Sequence, residues 1–495
     1  MRRVPVTRTT QRILPDPRRV IVKPHLPGEE TYTLDGKSRV KAILERVLAI
    51  PNPQVASVLE EVLSGFAPRH RDFERVLQNH FHLVDHHLGP SVRLSEEQRL
   101  LIGAYFSHEY SIEGAALFNP SMVPAPDQGN LASGDQRFVM SVRAVGEGHV
   151  SSIGFRTGIL DQRCDLTFDP VSRYTVTGTR KTPKYDKNLF VSKLDELGAD
   201  HDLAATVLAP LPELFTFDDL ERGLVSLEEA RKPANLACET VKMIHLLASS
   251  NYVVTYPPES AIWERVIFPA GPRETQGMED ARFVRFVNDD GSTIYYATYT
   301  AFDGFEILPQ LIETRDFLSF RVATLNGRCA QNKGMALFPR LIDGKYTMLS
   351  RFDTENSYLM RSDNVRHWSD TQMLRAPMRP WELIQIGNCG SPIETDAGWL
   401  VLTHGVGPMR RYAIGALLLD LEDPTRVIGH LPDPLLEPEE DERDGYVPNV
   451  LYSCGGLVHQ DTLVLPYAFS DAAIRIALIA MSDLLDALIE HRCIA

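Results

Sequence analysis

The ten residues from Gly277 to Phe286 set two adjacent carboxylates, Glu279 and Asp280, between basic Arg282 and a strand-like apolar run. Aspartate and glutamate are rarely buried unless they are paired. A carboxyl group beside arginine and apolar walls can have its pKa tuned for proton transfer. The stretch therefore predicts either acid–base chemistry or a turn in which Glu279 and Arg282 form a structural ion pair.

Strand-like runs recur along the chain after about residue 110, and each ends near a polar or charged residue. They are residues 137–143, 294–300, 345–351, 399–405 and 462–467. The last four runs are spaced by about 50 to 60 residues, which is typical of propeller blades of four strands each. Five runs predict a mainly β protein built as a five-bladed β-propeller, whose inner strands would bring distant residues to one central channel.

Helical patterns occupy the first 110 residues and part of the middle of the chain. Apolar residues recur at helical spacing in 38–50, 55–63 and 73–81, and Ser95 with Gln98 forms a capping-box signature. Residues 1–112 are therefore expected to form an amino-terminal arm and helical region, and 113–480 the propeller, with a partly helical insertion at about 185–250. Residues 481–495 are expected to form a carboxy-terminal helix. The apolar stripes of 38–110 should pack on the propeller or on a second subunit of a homo-oligomer.

Composition limits the remaining classes. The chain has 495 residues, 43% of them hydrophobic, and a formal charge of -15, which argues against a general nucleic-acid binder. Residues 1–23 nevertheless hold seven Arg or Lys against one Asp, which indicates a solvated extension, a strap onto a partner subunit or, less simply, a contact to an anionic ligand. Without a long apolar run or a secretory h-region, we predict a cytoplasmic protein that does not contact membranes. Six scattered cysteines without a CxxC pair predict neither a disulfide framework nor a metal site.

Five ordered motifs resemble those of glycoside hydrolase family 130, the β-mannoside phosphorylases and mannosidases. They are residues 277–282, Phe118-Asn119-Pro120, 332–339, 404–406 and 445–450, and the resemblance extends from about residue 113 to 475. It implies a five-bladed propeller that cleaves a β-mannoside in a small oligosaccharide with inversion. The nucleophile would be inorganic phosphate as a co-substrate, or water in the hydrolases, and no other cofactor is implied.

The resemblance also implies roles for single residues. Asp280 matches the general acid of the family, which is thought to protonate the leaving oxygen through a hydroxyl of the mannose. Lys333 matches a phosphate-binding lysine, and a phosphorylase needs such a basic clamp for its anion. The further candidates for sugar contacts or pocket shaping are Asn119, Glu279, Arg282, His404, Tyr446, Asn449 and Asp471.

Two positions depart from both branches of the family. Where phosphorylases usually carry Pro-Arg this chain has Pro309-Gln310, and where they carry His-Arg it has Ser350-Arg351. Neither neutral residue supplies charge to a phosphate clamp or deprotonates water. Arg321, Arg351 or Arg361 could compensate, and Arg351 is the candidate phosphate ligand among them. We predict a β-mannoside phosphorylase that forms α-mannose 1-phosphate, with an inverting β-mannosidase as the alternative and a non-catalytic carbohydrate-binding propeller as the third class. The linkage and the acceptor sugar stay open.

Overall fold

The computed structural model describes residues 3–27, 38–172, 174–228 and 234–491. Within these ranges the α-helices are α1 (Arg39–Leu48), α2 (Asn52–Phe66), α3 (Phe73–His82), α4 (Glu96–Tyr105), α5 (Lys187–Glu196), α6 (His201–Leu208), α7 (Phe217–Glu228), α8 (Ala234–Ser249) and α9 (Met481–Glu490). Helices α1 to α4 confirm the helical patterns of 38–110, and α5 to α8 form the helical part of the predicted insertion. The carboxy-terminal helix ends at Glu490, and residues 492–495 of its predicted range lie outside the described residues.

Strands make up most of the regular structure, which confirms the mainly β prediction. They are β1 (Thr7–Ile13), β2 (Val20–Pro24), β3 (Ser107–Ser111), β4 (Ala116–Pro124), β5 (Gln136–Val145), β6 (Ser151–Leu160), β7 (Leu166–Phe168), β8 (Val176–Thr177), β9 (Thr179–Lys181), β10 (Tyr185–Asp186), β11 (Leu214–Phe215), β12 (Tyr252–Thr255), β13 (Arg265–Ile267), β14 (Gly277–Val287), β15 (Thr293–Phe302), β16 (Ile307–Thr314), β17 (Ser319–Thr324), β18 (Ala336–Leu337), β19 (Tyr346–Ser350), β20 (Ser357–Ser362), β21 (Thr371–Arg375), β22 (Gln385–Asn388), β23 (Ile393–Thr395), β24 (Gly398–Val406), β25 (Tyr412–Leu419), β26 (Val427–His430), β27 (Leu451–Tyr452), β28 (Leu457–His459), β29 (Thr462–Phe469) and β30 (Ala473–Ala480). All five strand-like runs of the sequence fall inside or along such strands.

Most of these strands belong to successive antiparallel groups. Group 1 is β4 to β7, and group 2 is β14 to β17 extended by β12 and β9. The two groups share one sheet, because β6 and β14 meet at a single parallel pairing of Ser151 with Gly277. Group 3 is β18 to β21, group 4 is β22 to β26, and group 5 is β27 to β30 with β1.

Apolar clusters fill the space between neighbouring groups. Group 5 packs on group 1 through Ile474, Ile476, Phe138 and Met140. Group 2 packs on group 3 through Phe286, Tyr296, Met348 and Met360. Group 3 packs on group 4 through Leu349, Leu359, Trp399 and Val401, and group 4 packs on group 5 through Leu400, Leu418, Leu463 and Leu465. Because strands expose alternate faces, groups 3, 4 and 5 each contribute one apolar face to each of their two neighbours.

The basic amino-terminal segment was predicted to be a solvated extension or a strap onto a partner subunit, and for residues 7–13 this prediction is wrong. Residues 7–13 form β1, which pairs antiparallel with β30 of the same chain, with Thr7 opposite Leu478 and Ile13 opposite Ile474. The basic residues of this strand have acidic partners. Arg8 Nη1 lies 2.7 Å from Glu439 Oε1, and Arg12 pairs with Asp441. Local composition identified the charge of the arm but not the acidic segment, more than four hundred residues later, that neutralises it.

The chain divides into two compact units. The large unit comprises Met1–Pro15, Ala115–Val171 and Thr177–Ala495, and the small unit comprises Asp16–Gly114 and Ser172–Val176. In the small unit, α1 to α4 enclose a core that includes Leu44, Phe81 and Ile102. Helix α4 approaches α3 so closely that a Cβ on Gly103 would lie 1.9 Å from the carbonyl oxygen of Leu77, so this contact requires glycine.

Within the described residues, no helix combines the length and the apolar character needed to cross a membrane. The cytoplasmic location, and the packing of the small unit against another surface, stay predictions.

Candidate active site

Two β-bulges in the large unit bring Asn119 and Asp280 together. The register of β14 against β15 shifts between Glu279 and Arg282, and the register of β4 against β5 shifts between Phe118 and Ser121. Asp280 and Asn119 adopt left-handed conformations with φ of 56° and 50°. Such a conformation costs a non-glycine residue roughly 1–2 kcal/mol, and bulges redirect side chains beside active sites. Here they direct the Asn119 amide to donate a hydrogen bond to Asp280 Oδ1.

Arginine and lysine side chains surround the two carboxylates. Arg143 donates from Nη2 to Glu279 Oε1 at 2.7 Å, and its Nη1 lies 3.4 Å from Asp280 Oδ1. Lys333 Nζ donates to Glu279 Oε2 at 2.5 Å. Arg282 donates from Nη1 to the backbone oxygen of Asp280 at 2.9 Å. Charge-assisted hydrogen bonds of this kind fix the position of each carboxylate.

The charges around Asp280 decide its protonation state. Burial by itself raises the pKa of Asp280, but the guanidinium groups of Arg143 and Arg282, the ammonium of Lys333 and the Asn119 hydrogen bond outweigh it, so the pKa is lowered below its ordinary value. Asp280 is therefore a carboxylate in the unliganded protein at neutral pH.

Asp471 titrates in the opposite direction. Burial raises its pKa, and so do the negative charges of Asp280 and Glu279. Arg143 and Arg410 offset only part of that rise, and the pKa reaches about 6. Asp471 lies in the turn between β29 and β30 with a left-handed φ of 48°. The site thus holds two carboxyl groups whose environments move their pKa values apart, which is a common property of acid–base sites.

His404 and Arg351 form a second cluster of the site. His404 is buried, and its burial together with the positive charges of Arg351 and Arg282 lowers its pKa to about 3, so the imidazole is neutral. Arg351 Nη1 lies 3.4 Å from His404 Nε2, and the backbone oxygen of Asn388 lies 3.2 Å from His404 Nδ1. Since arginine only donates, Nε2 accepts and Nδ1 carries the proton. Tyr452 joins the clusters, because its hydroxyl accepts from Arg282 Nη2 at 2.7 Å and its ring centre lies 4.8 Å from that of His404.

The structure brings most of the sequence-predicted residues into one connected network. Its members are Asn119, Glu279, Asp280, Arg282, Lys333, Arg351 and His404, with Asp471 coupled electrostatically to the carboxylates. Tyr446 is 58% exposed, and its hydroxyl lies 3.2 Å from His149 Nδ1. The Asn449 side chain is bonded elsewhere, since its Oδ1 accepts from Arg443 Nε at 2.9 Å.

Sequence reasoning missed Arg143, Tyr452 and His149. Arg143 had a signal, because an arginine flanked by apolar residues near the end of strand β5 needs a partner where it is buried. Tyr452 and His149 had none, since their roles depend on contacts with residues that are distant in sequence.

The two departures from the family pattern have different structural outcomes. Gln310 is fully buried, and its Nε2 donates to the backbone oxygen of Ser250, directly after α8, at 3.2 Å. Its amide therefore supports the inserted helices. Ser350 is also buried, but its hydroxyl has no hydrogen-bond partner among the described residues. The Nε of Arg351 is buried and likewise unpartnered there.

The sequence of the large unit matches known proteins. Residues 241–490 match the sequence profile of glycoside hydrolase family 130, described as beta-1,4-mannooligosaccharide phosphorylase. The chain is also 36% identical over 221 residues to a 1,2-beta-oligomannan phosphorylase of Thermoanaerobacter sp. (strain X514), covering 43% of this chain and 71% of that protein. The chain belongs to glycoside hydrolase family 130. Asn119 and Arg143 of this family 130 chain lie before the matched range, and the structure places both beside Asp280.

Two further relatives cover different shares of the chain. A beta-1,2-mannobiose phosphorylase of Listeria innocua is 34% identical over 215 residues, covering 42% of this chain and 59% of that protein. The solved structure of a Listeria innocua beta-1,2-mannobiose phosphorylase in complex with beta-1,2-mannobiose aligns with a TM-score of 0.44 at 22% identity, covering 77% of this chain and 93% of that one.

Proposed function

We propose that this family 130 protein is a β-mannoside phosphorylase. The observation that carries the proposal is the charge of the site. Among the described residues Arg143, Arg282, Lys333 and Arg351 bring four positive charges, against the carboxylates Glu279 and Asp280 and, at neutral pH, Asp471. A phosphate anion would be attracted by this excess, and the unpartnered Nε of Arg351 and hydroxyl of Ser350 offer hydrogen bonds to it. The phosphorylase names of the relatives agree with this assignment.

The proposed reaction is a single displacement with inversion. One phosphate oxygen forms a bond to the anomeric carbon while the bond from that carbon to the oxygen of the leaving sugar breaks. The leaving oxygen keeps the electron pair and receives the proton that Asp280 supplies, which the family resemblance routes through a mannose hydroxyl. The products are α-mannose 1-phosphate and the shortened sugar, and Asp280 regains a proton from solvent.

Phosphate binding would also prepare the acid. Asp280 is ionised in the unliganded site because cations surround it. A phosphate dianion beside Lys333 and Arg351 would cancel part of that positive field and raise the pKa of Asp280. The acid would therefore acquire its proton when its co-substrate binds.

The remaining site residues are assigned to substrate binding. We propose that Asn119 and Glu279 position Asp280 and the mannose, that Arg282 and His404 shape the floor of the pocket, and that Asp471 contacts the sugar. Tyr446 and Asn449 belong to the edge of the pocket in this assignment.

The proposed fold of the large unit is a five-bladed β-propeller. Five strand groups follow one another in the chain, and apolar clusters join group 5 to group 1 as well as groups 2, 3, 4 and 5 in succession. The pairing of β1 with β30 supports the same arrangement, because it joins the first strand to the last group. Such a ring would centre the site residues of all five groups on one channel.

A second candidate function is inverting hydrolysis. Asp471 favours it, because a carboxyl group with a pKa of about 6 beside Asp280 is suited to activate water at neutral pH. This candidate uses the same site with Asp471 as the general base.

Product analysis separates the two candidates. β-Mannooligosaccharides are incubated with the protein across a phosphate titration, and mannose and mannose 1-phosphate are quantified. Phosphorolysis predicts mannose 1-phosphate in amounts that rise with phosphate until saturation. Free mannose as the only product, at a rate indifferent to phosphate, would refute the phosphorylase and favour the mannosidase.

Lys333→Ala sharpens the same test. A charge-assisted contact to an anion contributes about 1.5–3 kcal/mol, so the phosphate concentration at half-saturation should rise by roughly 10- to 150-fold. Lys345→Ala is the matched control, since the Lys345 side chain is 50% exposed and pairs with Asp363 at 3.8 Å, outside the site. Equal phosphate dependence in both variants would remove Lys333 from the phosphate site.

A further inference from the structure

The turn containing His149 and the segment containing Tyr446 are in contact. The His149 and Tyr446 rings stack at 5.5 Å between centres with 26° between planes, and the Tyr446 hydroxyl lies 3.2 Å from His149 Nδ1. Tyr446 nevertheless keeps 58% of its surface exposed. The pair therefore presents an aromatic face to solvent.

Hydrogen bonds hold the segment around Tyr446 in place. Val447 N donates to the backbone oxygen of Ser470 at 2.9 Å, and the Ser470 hydroxyl donates to the backbone oxygen of Glu442 at 2.7 Å. Arg443 and Asn449 are linked both by side chain and by backbone, at 2.9 and 3.1 Å. A segment with so many internal hydrogen bonds holds its exposed ring in one position, as a binding platform requires.

The position of the pair relates it to the leaving sugar. His149 lies in the turn that follows β5, and β5 carries Arg143, which contacts both Glu279 and Asp280. Tyr446 is joined through Val447 to Ser470, the neighbour of Asp471. His149 thus lies on group 1, and Tyr446 lies in the connection from group 4 to group 5, where Val447 is held to the group 5 turn beside Asp471. Both are therefore linked to the residues around the acid. Arg351 and His404, by contrast, belong to groups 3 and 4.

In a displacement with inversion, the nucleophile and the leaving group lie on opposite sides of the anomeric carbon. The acid accompanies the leaving group, so the leaving sugar must extend from Asp280 toward groups 1 and 5. Aromatic faces pack well against the apolar faces of sugar rings, because they offer a large contact area with little loss of side-chain freedom.

We propose that the stacked His149–Tyr446 pair is the acceptor-side platform of the enzyme, and that it binds the sugar rings beyond the cleaved bond of a β-mannooligosaccharide. The inference rests on the proposed function and adds to it the residues that would favour chains longer than the disaccharide. Tyr446 supplies the contact surface, and His149 is a positioning residue that acts through the Tyr446 ring.

Chain-length profiles test the platform. The ratio kcat/KM is measured for β-mannobiose, β-mannotriose and β-mannotetraose at saturating phosphate. Tyr446→Ala should lower kcat/KM for the trimer and tetramer roughly 3- to 10-fold more than for the dimer, chiefly by raising KM. Tyr446→Phe should keep most of the preference for long chains, and His149→Ala should give a loss in the same direction as Tyr446→Ala but smaller.

Phe305→Ala is the matched control. Phe305 is an aromatic residue of another turn, between β15 and β16, and is 95% exposed. It lies on group 2, three residues after Phe302, whose ring centre is 5.7 Å from Lys333 Nζ. This variant should leave the chain-length profile unchanged.

Binding to Asp280→Asn, measured by calorimetry with the same sugars, gives a second measurement that does not require turnover. Tyr446→Ala in this background should weaken binding of the trimer more than that of the dimer. If wild type catalyses phosphorolysis and Tyr446→Ala loses kcat/KM equally for all chain lengths, or loses none, the platform is overturned and the proposed function stays intact. Neither turnover nor binding of any β-mannooligosaccharide would overturn both.

Discussion

Asp471→Asn should stabilise the protein at neutral pH. The folded protein raises the pKa of this carboxyl from 3.8 to about 6, mainly through burial and then through the charges of Asp280 and Glu279. Each pKa unit corresponds to roughly 1.36 kcal/mol, so keeping Asp471 ionised costs the folded state about 3 kcal/mol at pH 7 as an upper limit. Asparagine keeps the shape of the side chain without the charge.

The sign of the pH dependence follows from the same shift. Between pH 3.8 and 6 the unfolded chain loses the Asp471 proton while the folded protein retains it, so the free energy of unfolding falls as the pH rises. Above that window the loss is complete and constant. The advantage of Asp471→Asn should therefore be largest at pH 7 and shrink to below about 1 kcal/mol at pH 4.

Urea unfolding followed by tryptophan fluorescence measures the free energy of unfolding of the large unit, which contains Asp471. The four tryptophans of the chain, at 263, 368, 381 and 399, all lie in the large unit. Asp370→Asn is the control, because the Asp370 side chain is 87% exposed, and it should change stability by no more than about 0.5 kcal/mol at either pH. An Asp471→Asn protein that is no more stable than wild type at pH 7, or whose advantage does not depend on pH, would refute the electrostatic account of this site.

Three further predictions address the acid, its neighbour and the small unit. Asp280→Asn should lower kcat by about 10²–10⁴-fold with an unchanged circular dichroism spectrum, and activity within a few-fold of wild type would contradict its role. Arg143→Met should lower kcat/KM by roughly 10- to 100-fold. It should also move the basic limb of the pH–rate profile to higher pH, because it removes a charge that lowers the pKa of Asp280. Arg137→Met on the same strand should have neither effect. Burial lowers the pKa of His80, so the small unit should lose stability as the pH falls below about 6.5. Hydrogen exchange of residues 73–82 at pH 5 and pH 7 measures this loss, which should be smaller in His80→Gln; equal pH dependence in both proteins would contradict it.

Local sequence patterns were sufficient to predict the amino-terminal helices and five of the strands. The capping box at Ser95 is an example, since Gln98 N donates to Ser95 Oγ at 3.2 Å and Ser95 N donates to Gln98 Oε1 at 3.0 Å. Capping depends on residues three positions apart, and strand alternation depends on residues two apart, so both can be recognised in a single sequence. The five strand-like runs were found for the same reason.

The geometry of the site could not be predicted in the same way. The left-handed conformations of Asn119 and Asp280 arise where two bulges meet across 161 positions of sequence. No local pattern specifies a bulge at an aspartate or an asparagine, because both residues are also common in ordinary turns. The family motifs identified these residues as important, but the contact between them, and the part that Arg143 takes in it, required the fold.

The pairing of β1 with β30 has a consequence for biosynthesis. Thr9 accepts a hydrogen bond from Arg475, 466 positions later. At about 5–20 residues per second, the ribosome needs roughly 20 to 90 seconds to produce that distance. Throughout this time β1 has no strand to pair with, and its arginines discourage pairing with other edges. Group 5 therefore closes only after β30 has been synthesised, so a nascent chain that stalls before β30 leaves β29 with an open edge and β1 without its partner strand.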